Sequence, residues 1–168
     1  MRKVIVVTHG VIRGPAHELR DYFRNNFDET IFIHHPLLFI KQNRVLSSGL
    51  ERYEKEKLVF ERKAYHWRGP EPLLYLKDLI YTLIWVIRYS RKTDLLVGSG
   101  NLNAFAGLIL KRLGIVKKVV YYCIDYVPNR FRSKILNNIY HWVDKICAER
   151  CDSTWNLSSR MIEGRQEK

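Results

Sequence analysis

Acidic residues are scarce in this chain. Its 17 Asp and Glu stand against 29 Lys and Arg, a formal net charge of +12 over 168 residues. The imbalance points to an anionic partner: lipid, phosphorylated sugar or nucleic acid. A basic surface that is only solvated is the plainer alternative. Cysteine is scarce as well. Cys123, Cys147 and Cys151 contain no CxxC pair, and their odd number excludes a complete disulfide framework. Cys147 and Cys151 lie four apart on a helical pattern without His at metal-ligand spacing, so buried thiols in a reducing compartment are expected. HExxH and related spacings are missing, and no metal site is expected. GxGxxG and GxxxxGK[ST] are also missing, which argues against a nicotinamide enzyme and a P-loop nucleotidase. There is no GxSxG elbow, and no bound cofactor is expected.

Long apolar runs are lacking too. Met1-Arg2-Lys3 is followed by four aliphatic residues before Thr8-His9-Gly10, too short for a secretory segment, so a cytoplasmic start is expected. Leu73–Ser90 reads as a long helix, apolar on most faces, with Lys77, Asp78, Thr82 and Arg88 forming a narrow polar stripe. Its longest uncharged run, Leu79–Ile87, has nine residues, less than half of the ~20 needed to span a bilayer. Packing against a sheet is the first expectation for this helix. The second places Trp85, Tyr81 and Tyr89 at an interface, with Arg88, Arg91 and Lys92 on lipid phosphates.

What is present suits one folded domain covering 1–168: hydrophobic content is 46% and aromatic content 12%. Lys3–Thr8, Leu95–Gly98 and Lys118–Ile124 are near-continuous apolar runs, the mark of strands buried on both faces. Thr30–His34 and Asp152–Leu157 read as shorter strands. Helical patterns cover Ala16–Asn26, Leu102–Leu113 and Ser133–Arg150, with Gly114 as a stop signal, and Ser158-Ser159 begins a last helix. The mixed charges and aromatics of Arg44–Trp67 read as an exposed antiparallel hairpin, centred on Leu50–Trp67. The fold class expected is therefore α/β: a doubly wound, mostly parallel Rossmann-like sheet with an inserted antiparallel β-hairpin.

In such sheets ligands bind beyond the carboxyl ends of the strands. Asp125 follows the strand run of Val119–Ile124, and Pro128 and Arg130 follow it before the next helix. Asp125 can act on a polar ligand, while Arg130 can hold an anion or pair with Asp125. Alternatively the two residues cap the helix. The loops carrying Gly10 and Gly14, and Gly98-Ser99-Gly100-Asn101, either bring backbone N–H groups to phosphate or simply turn the chain. Among the six histidines, His9 and His17 can face the cleft, whereas His141 packs or solvates. The basic excess concentrates here, because residues 101–150 hold nine Lys and Arg against three Asp and Glu.

The opening strand with its glycine loop, the inserted hairpin, the segment from Asp125 to Phe131 and the later Cys151–Met161 together resemble a glycosyltransferase. The resemblance is to the N-terminal domain of GT-B-fold enzymes of family 4, glycosyl transferase group 1, where Asp152–Ser158 fits a loose Ala-Asp-x-x-x-x-x-Ser pattern. It implies a saccharide or lipid-linked acceptor at the cytoplasmic membrane face, and a nucleotide-sugar donor shared with a donor-binding domain or partner chain. By position it implies Gly14 near the donor diphosphate. His17, Ser99, Asn101 and Arg130, read from the strand-end loops and the cleft, are the further candidates for substrate contact. Ile124 stands where the family often has His, so Asp125 becomes the catalytic candidate. The donor-binding domain is not found before Lys168, so the chain by itself is expected to show no turnover. A non-catalytic basic module for anionic membrane or nucleic acid is the alternative, although no nucleic-acid signature supports the latter.

Overall fold

Apolar runs without alternation suit strands covered on both faces, and each such run here becomes a strand of a single sheet. The computed structural model describes residues 1–10, 13–38, 40, 46–67, 69–90 and 92–166. In chain order the elements are β1 (Lys3–His9), α1 (Pro15–Asn26), β2 (Glu29–His35), β3 (Gly49–Glu54), β4 (Lys57–Lys63) and α2 (Glu71–Tyr89). There follow β5 (Thr93–Ser99), α3 (Asn101–Arg112), β6 (Val116–Cys123), α4 (Lys134–Arg150), β7 (Ser153–Asn156) and α5 (Arg160–Gln166). The sheet has seven strands in the order β4-β3-β2-β1-β5-β6-β7. β2, β1, β5, β6 and β7 run parallel, and β3 and β4 are antiparallel. Val4–Val7 and Val119–Tyr122 thus share one sheet, in a mostly parallel α/β fold.

The stretch read as a hairpin forms β3 and β4, with strand pairing ending at Lys63 and the register shifting between Arg52 and Tyr53. It is only half exposed. β3 extends the sheet beside β2 and buries Gly49, Leu50 and Tyr53. β4 is the open edge, where Lys57, Glu61, Arg62 and Lys63 discourage pairing with another chain. Arg44 lies outside the described residues.

Successive strand residues point to opposite faces. Ile5, Val7, Leu96 and Val119 pack with Trp85 and Val86 of α2 and Leu110 of α3. Their neighbours Val4, Val6, Val97 and Val120 pack with Ala16 and Phe23 of α1. Helices therefore cover both faces. α4 joins the α3 side, with Val143 and Cys147 against Tyr121 and Cys123. Cys147 is buried as expected, but Cys151 is partly exposed.

Two glycines set the approach of α3. A Cβ on Gly98 would lie 2.3 Å from the backbone nitrogen of Ala104, and one on Gly107 would lie 2.7 Å from Leu96 Cδ2. Gly114, at φ +71°, ends the helix by donating its N–H to the Lys111 carbonyl. Ser133 caps α4 by accepting from the Leu136 N–H, so the helix-capping role considered for Asp125 and Arg130 falls to Ser133.

Candidate functional site

The chain passes from β1 to β2 on one side and later to β5 on the other, so the strand order reverses between β1 and β5. A crevice opens beyond the carboxyl ends of strands at such a reversal. Here it is a cleft of about 530 Å³ between the amino ends of α1 and α3. Tyr75, Leu76 and Leu79 of α2 form one wall; Leu136, Ile139, Tyr140 and Val143 of α4 form the opposite one. The loop from Ile124 to Phe131 contributes a further side, and Arg13 also lines the cleft.

All six nominated residues, Gly14, His17, Ser99, Asn101, Asp125 and Arg130, line this one cleft. Their roles differ. Asp125 is exposed at the mouth, and among the described residues no ion pair joins it to Arg130. Arg130 instead donates to the Tyr75 hydroxyl and lies 3.9 Å from Glu71, which ties its loop to α2. Asn101 is engaged structurally: its Nδ2 donates to the Tyr140 carbonyl at 3.1 Å and its Oδ1 accepts from the Leu102 N–H at 2.8 Å. Ser99 is buried, and its carbonyl accepts from Asn103 Nδ2 at 2.6 Å. His17 is buried edge-on against Phe32. A Cβ on Gly14 would meet nothing within 4 Å, so the glycine leaves open space at the start of α1. Val11 and Ile12, between the two loop glycines, lie outside the described residues.

Other nominated groups serve the frame. His141 bonds the Pro128 carbonyl and so holds the same loop against α4. Asp152 accepts from the Val119 N–H at 2.8 Å and from Lys111, which anchors the start of β7. Below the β6 end, Arg165 of α5 donates to the buried Asp144 at 2.8 Å and to Asn156. The Tyr121 hydroxyl also donates to Asp144. Burial works against the Arg165 charge, but the hydrogen bond and negative charge of Asp144, with smaller pulls from Tyr121 and Cys123, together outweigh it and raise the guanidinium.

Three of the four residues of the α2 polar stripe face inward, and Arg88 is exposed. Lys77, Asp78 and Thr82 are buried, and they build a network behind the cleft. Asp78 accepts from Lys77 Nζ at 2.7 Å and from the Ser48 hydroxyl at 2.9 Å. Because that hydroxyl donates to Asp78, it must accept from His35 Nδ1, 2.9 Å away. His35 Nε2 is then the acceptor for the Thr82 hydroxyl at 2.8 Å. A neutral ring satisfies every partner, and burial pushes this imidazole down to about 4 against the pull of Asp78. Burial alone would raise the Asp78 carboxyl, but its interactions with His35 and His9 outweigh that and hold it well below the usual carboxylate range.

His9 connects this network to the cleft. Its ring lies at the carboxyl end of β1, lines the cleft, and sits 5.1 Å from the His35 ring and 5.4 Å from that of Tyr75. Asn103 Nδ2 lies 3.1 Å from His9 Nδ1, which makes Nδ1 the lone-pair nitrogen. The other nitrogen, Nε2, then carries the proton and lies 3.4 Å from Asp78 Oδ2, a contact between two buried atoms that falls short of hydrogen-bond geometry. Asn103 thus sets the tautomer, and a carboxylate this close to one ring nitrogen favours positive charge on the ring when the other nitrogen takes a proton.

Comparison with protein-family models, curated proteins and solved structures found no match to this chain.

His9 was visible in the sequence as a strand-end histidine, but its partner was not. Asp78 sits 69 positions away in an apolar helix, where a lone carboxylate reads as part of a solvated stripe. The usable signal was a stripe of Lys, Asp and Thr on a helix whose remaining faces are all apolar.

Proposed function

We propose that the chain is the acceptor-binding half of a glycosyltransferase, with a saccharide or lipid-linked acceptor held in the β1–β5 cleft. One observation carries this reading: apolar walls from α2 and α4 converge on a histidine backed by a buried carboxylate. An acceptor with an apolar tail and a hydroxyl-bearing head fits that gradient. The tail would lie along Leu76, Leu79 and Ile139, and the hydroxyl would reach His9. The resemblance of the Asp125–Phe131 and Cys151–Met161 segments to group 1 glycosyltransferases gives independent support.

In this reading the acceptor hydroxyl displaces Asn103 Nδ2 from His9 Nδ1, and Nδ1 takes the hydroxyl proton as the acceptor oxygen bonds to the anomeric carbon of a nucleotide-sugar. The bond from that carbon to the diphosphate oxygen breaks, and the nucleoside diphosphate leaves with the electron pair. Asp78 stabilises the imidazolium. Asp125, exposed at the mouth, orients the head group, and Arg13 and Arg130 meet its negative charge. Gly14 leaves room beside the amino end of α1 for the donor diphosphate. The rest of the donor site belongs to a donor-binding domain or partner chain. Losing one preorganised donor already costs roughly 10²–10³ in rate, so the chain by itself should turn over no faster than background.

The test is transfer from a panel of uridine- and guanosine-diphosphate sugars, with a donor-binding domain supplied in trans. His9→Asn should abolish turnover, whereas Asp125→Asn should mainly raise the acceptor KM. Full activity of His9→Asn refutes the proton-transfer assignment; absence of transfer with every donor refutes the reading itself.

A further inference from the structure

A helix that only packs against a sheet turns its apolar side inward. α2 does this in part, burying Trp85 and Val86, but it also buries Lys77, Asp78 and Thr82. Its aliphatic residues Leu73, Leu76, Ile80, Ile84 and Ile87 form an outward row, each between 45% and 58% exposed. Their spacing keeps them on one face for about 21 Å. α4 carries a second exposed row: Ile135, Ile139 and Trp142. The helix between them, α3, touches both. Leu76 and Ile139 also line the cleft, so the two rows meet at its mouth.

Charge around these rows is mainly positive, with Asp125 at the cleft mouth and Glu149 in the last turn of α4 as exposed exceptions. Arg88 and Lys92 are exposed at the carboxyl end of α2, and Arg132 and Lys134 at the amino end of α4. Of the acids of the two helices, Asp78 and Asp144 are buried and Glu71 lies beside Arg130, while Glu149 is exposed and pairs with Lys145. Trp85 is buried and Tyr81 and Tyr89 pack against the core, so on α2 the aromatic interface expected from sequence is replaced by an aliphatic one, and the exposed ring of the two rows is Trp142 of α4. Arg91 lies outside the described residues.

We propose that the α2 and α4 rows dock this domain onto an anionic lipid bilayer, with the cleft mouth opening at the surface. The inference deepens the acceptor reading and rests on it, because a lipid-linked acceptor would then enter between Leu76 and Ile139 without leaving the apolar phase. A fluid bilayer fills two separate ridges at once, and the flanking cations meet its head groups. A second copy of the chain would bring together two surfaces of net charge +12. Nucleic acid would need successive stacking rings, whereas seven of the eight row residues are Leu or Ile and only Trp142 is a ring. Among the described residues no helix is long and apolar enough to cross a membrane, so the contact is interfacial.

The experiment is co-sedimentation of the full chain with vesicles of phosphatidylglycerol mixed with phosphatidylcholine, against pure phosphatidylcholine. The wild type should bind the anionic vesicles and release them as salt rises. Ile80→Glu with Ile84→Glu should weaken binding at least about tenfold with an unchanged melting curve. Val59→Glu, on the exposed edge strand β4, should bind as the wild type does. Arg132→Ser with Lys134→Ser removes only exposed charge and should weaken binding to the anionic vesicles even if the α2 variant misfolds. Wild type left in the supernatant, equal binding to pure phosphatidylcholine, or undiminished binding by both double variants overturns the proposal. So does a dimer, seen by sedimentation equilibrium, that the α2 variant dissolves while vesicles go unbound. Failed docking with transfer to a short-chain acceptor intact overturns docking alone; docking without transfer overturns the acceptor reading.

Discussion

Acidification should weaken this fold well above the range in which carboxylates titrate, because of His35. Its ring is fully buried and is satisfied as the neutral tautomer by Ser48 and Thr82. Above about pH 6.5 the ring is neutral in both folded and unfolded chains, and its contribution is complete. Between 6.5 and about 4 only the unfolded chain takes the proton, so stability falls as pH falls. Below about 4 both states are protonated and this loss stops. At about 1.4 kcal/mol per pH unit the whole window amounts to about 3 kcal/mol. Burial also depresses His34, which adds to the loss in the same direction. Urea unfolding followed by tryptophan fluorescence at pH 7, 6, 5 and 4.5 measures it, with His35→Asn as the comparison. Asn retains a donor toward Ser48 but cannot titrate, so its stability should fall more gently with pH even if it starts lower. A flat wild-type profile, or equal slopes for the two proteins, would refute the neutral-ring network.

Gly98→Ala should cost about 1–3 kcal/mol, because the new methyl meets the Ala104 backbone, whereas Gly14→Ala should lie within about 0.5 kcal/mol of wild type. Thermal melts of the pair test the packing of α3 against β5. Arg165→Met should cost about 3 kcal/mol by leaving Asp144 buried without its cation, and urea midpoints will show whether α5 clamps the β6 end as described. Asn101→Ala should cost about 1–2 kcal/mol, since two backbone partners lose their bonds, and should change the acceptor KM less than twofold. A large KM effect with normal stability would make Asn101 a ligand contact.

The parallel strands could be read because β1, β5 and β6 are apolar runs without alternation, and that pattern specifies burial on both faces before any partner is known. The cleft followed from the same reading, since loops at the carboxyl ends of parallel strands converge wherever the order reverses. For that reason residues chosen as strand-end loop positions, Gly14, Ser99, Asn101, Asp125 and Arg130, do meet. What each does there was not legible. Arg130 is drawn to Tyr75 and Glu71 of a helix more than fifty residues earlier, and only the packing of α2 beside the cleft decides that. The orientation of α2 was hidden for a related reason. Its periodicity allows either face to turn inward, and the choice depends on Ser48, His35 and His9, three polar partners from other elements that reward burying Asp78.

An amphipathic acceptor seated in the β1–β5 cleft would bring its head to His9. Nuclear magnetic resonance of the full chain, with labelled imidazoles and methyl groups, tests it during titration with farnesyl phosphate. The ring resonances of His9 should move together with the methyls of Leu76, Leu79 and Ile139, following one saturable curve, and Leu79→Arg should abolish the response. Shifts confined to residues outside the cleft, or a response unaltered by Leu79→Arg, would contradict the account.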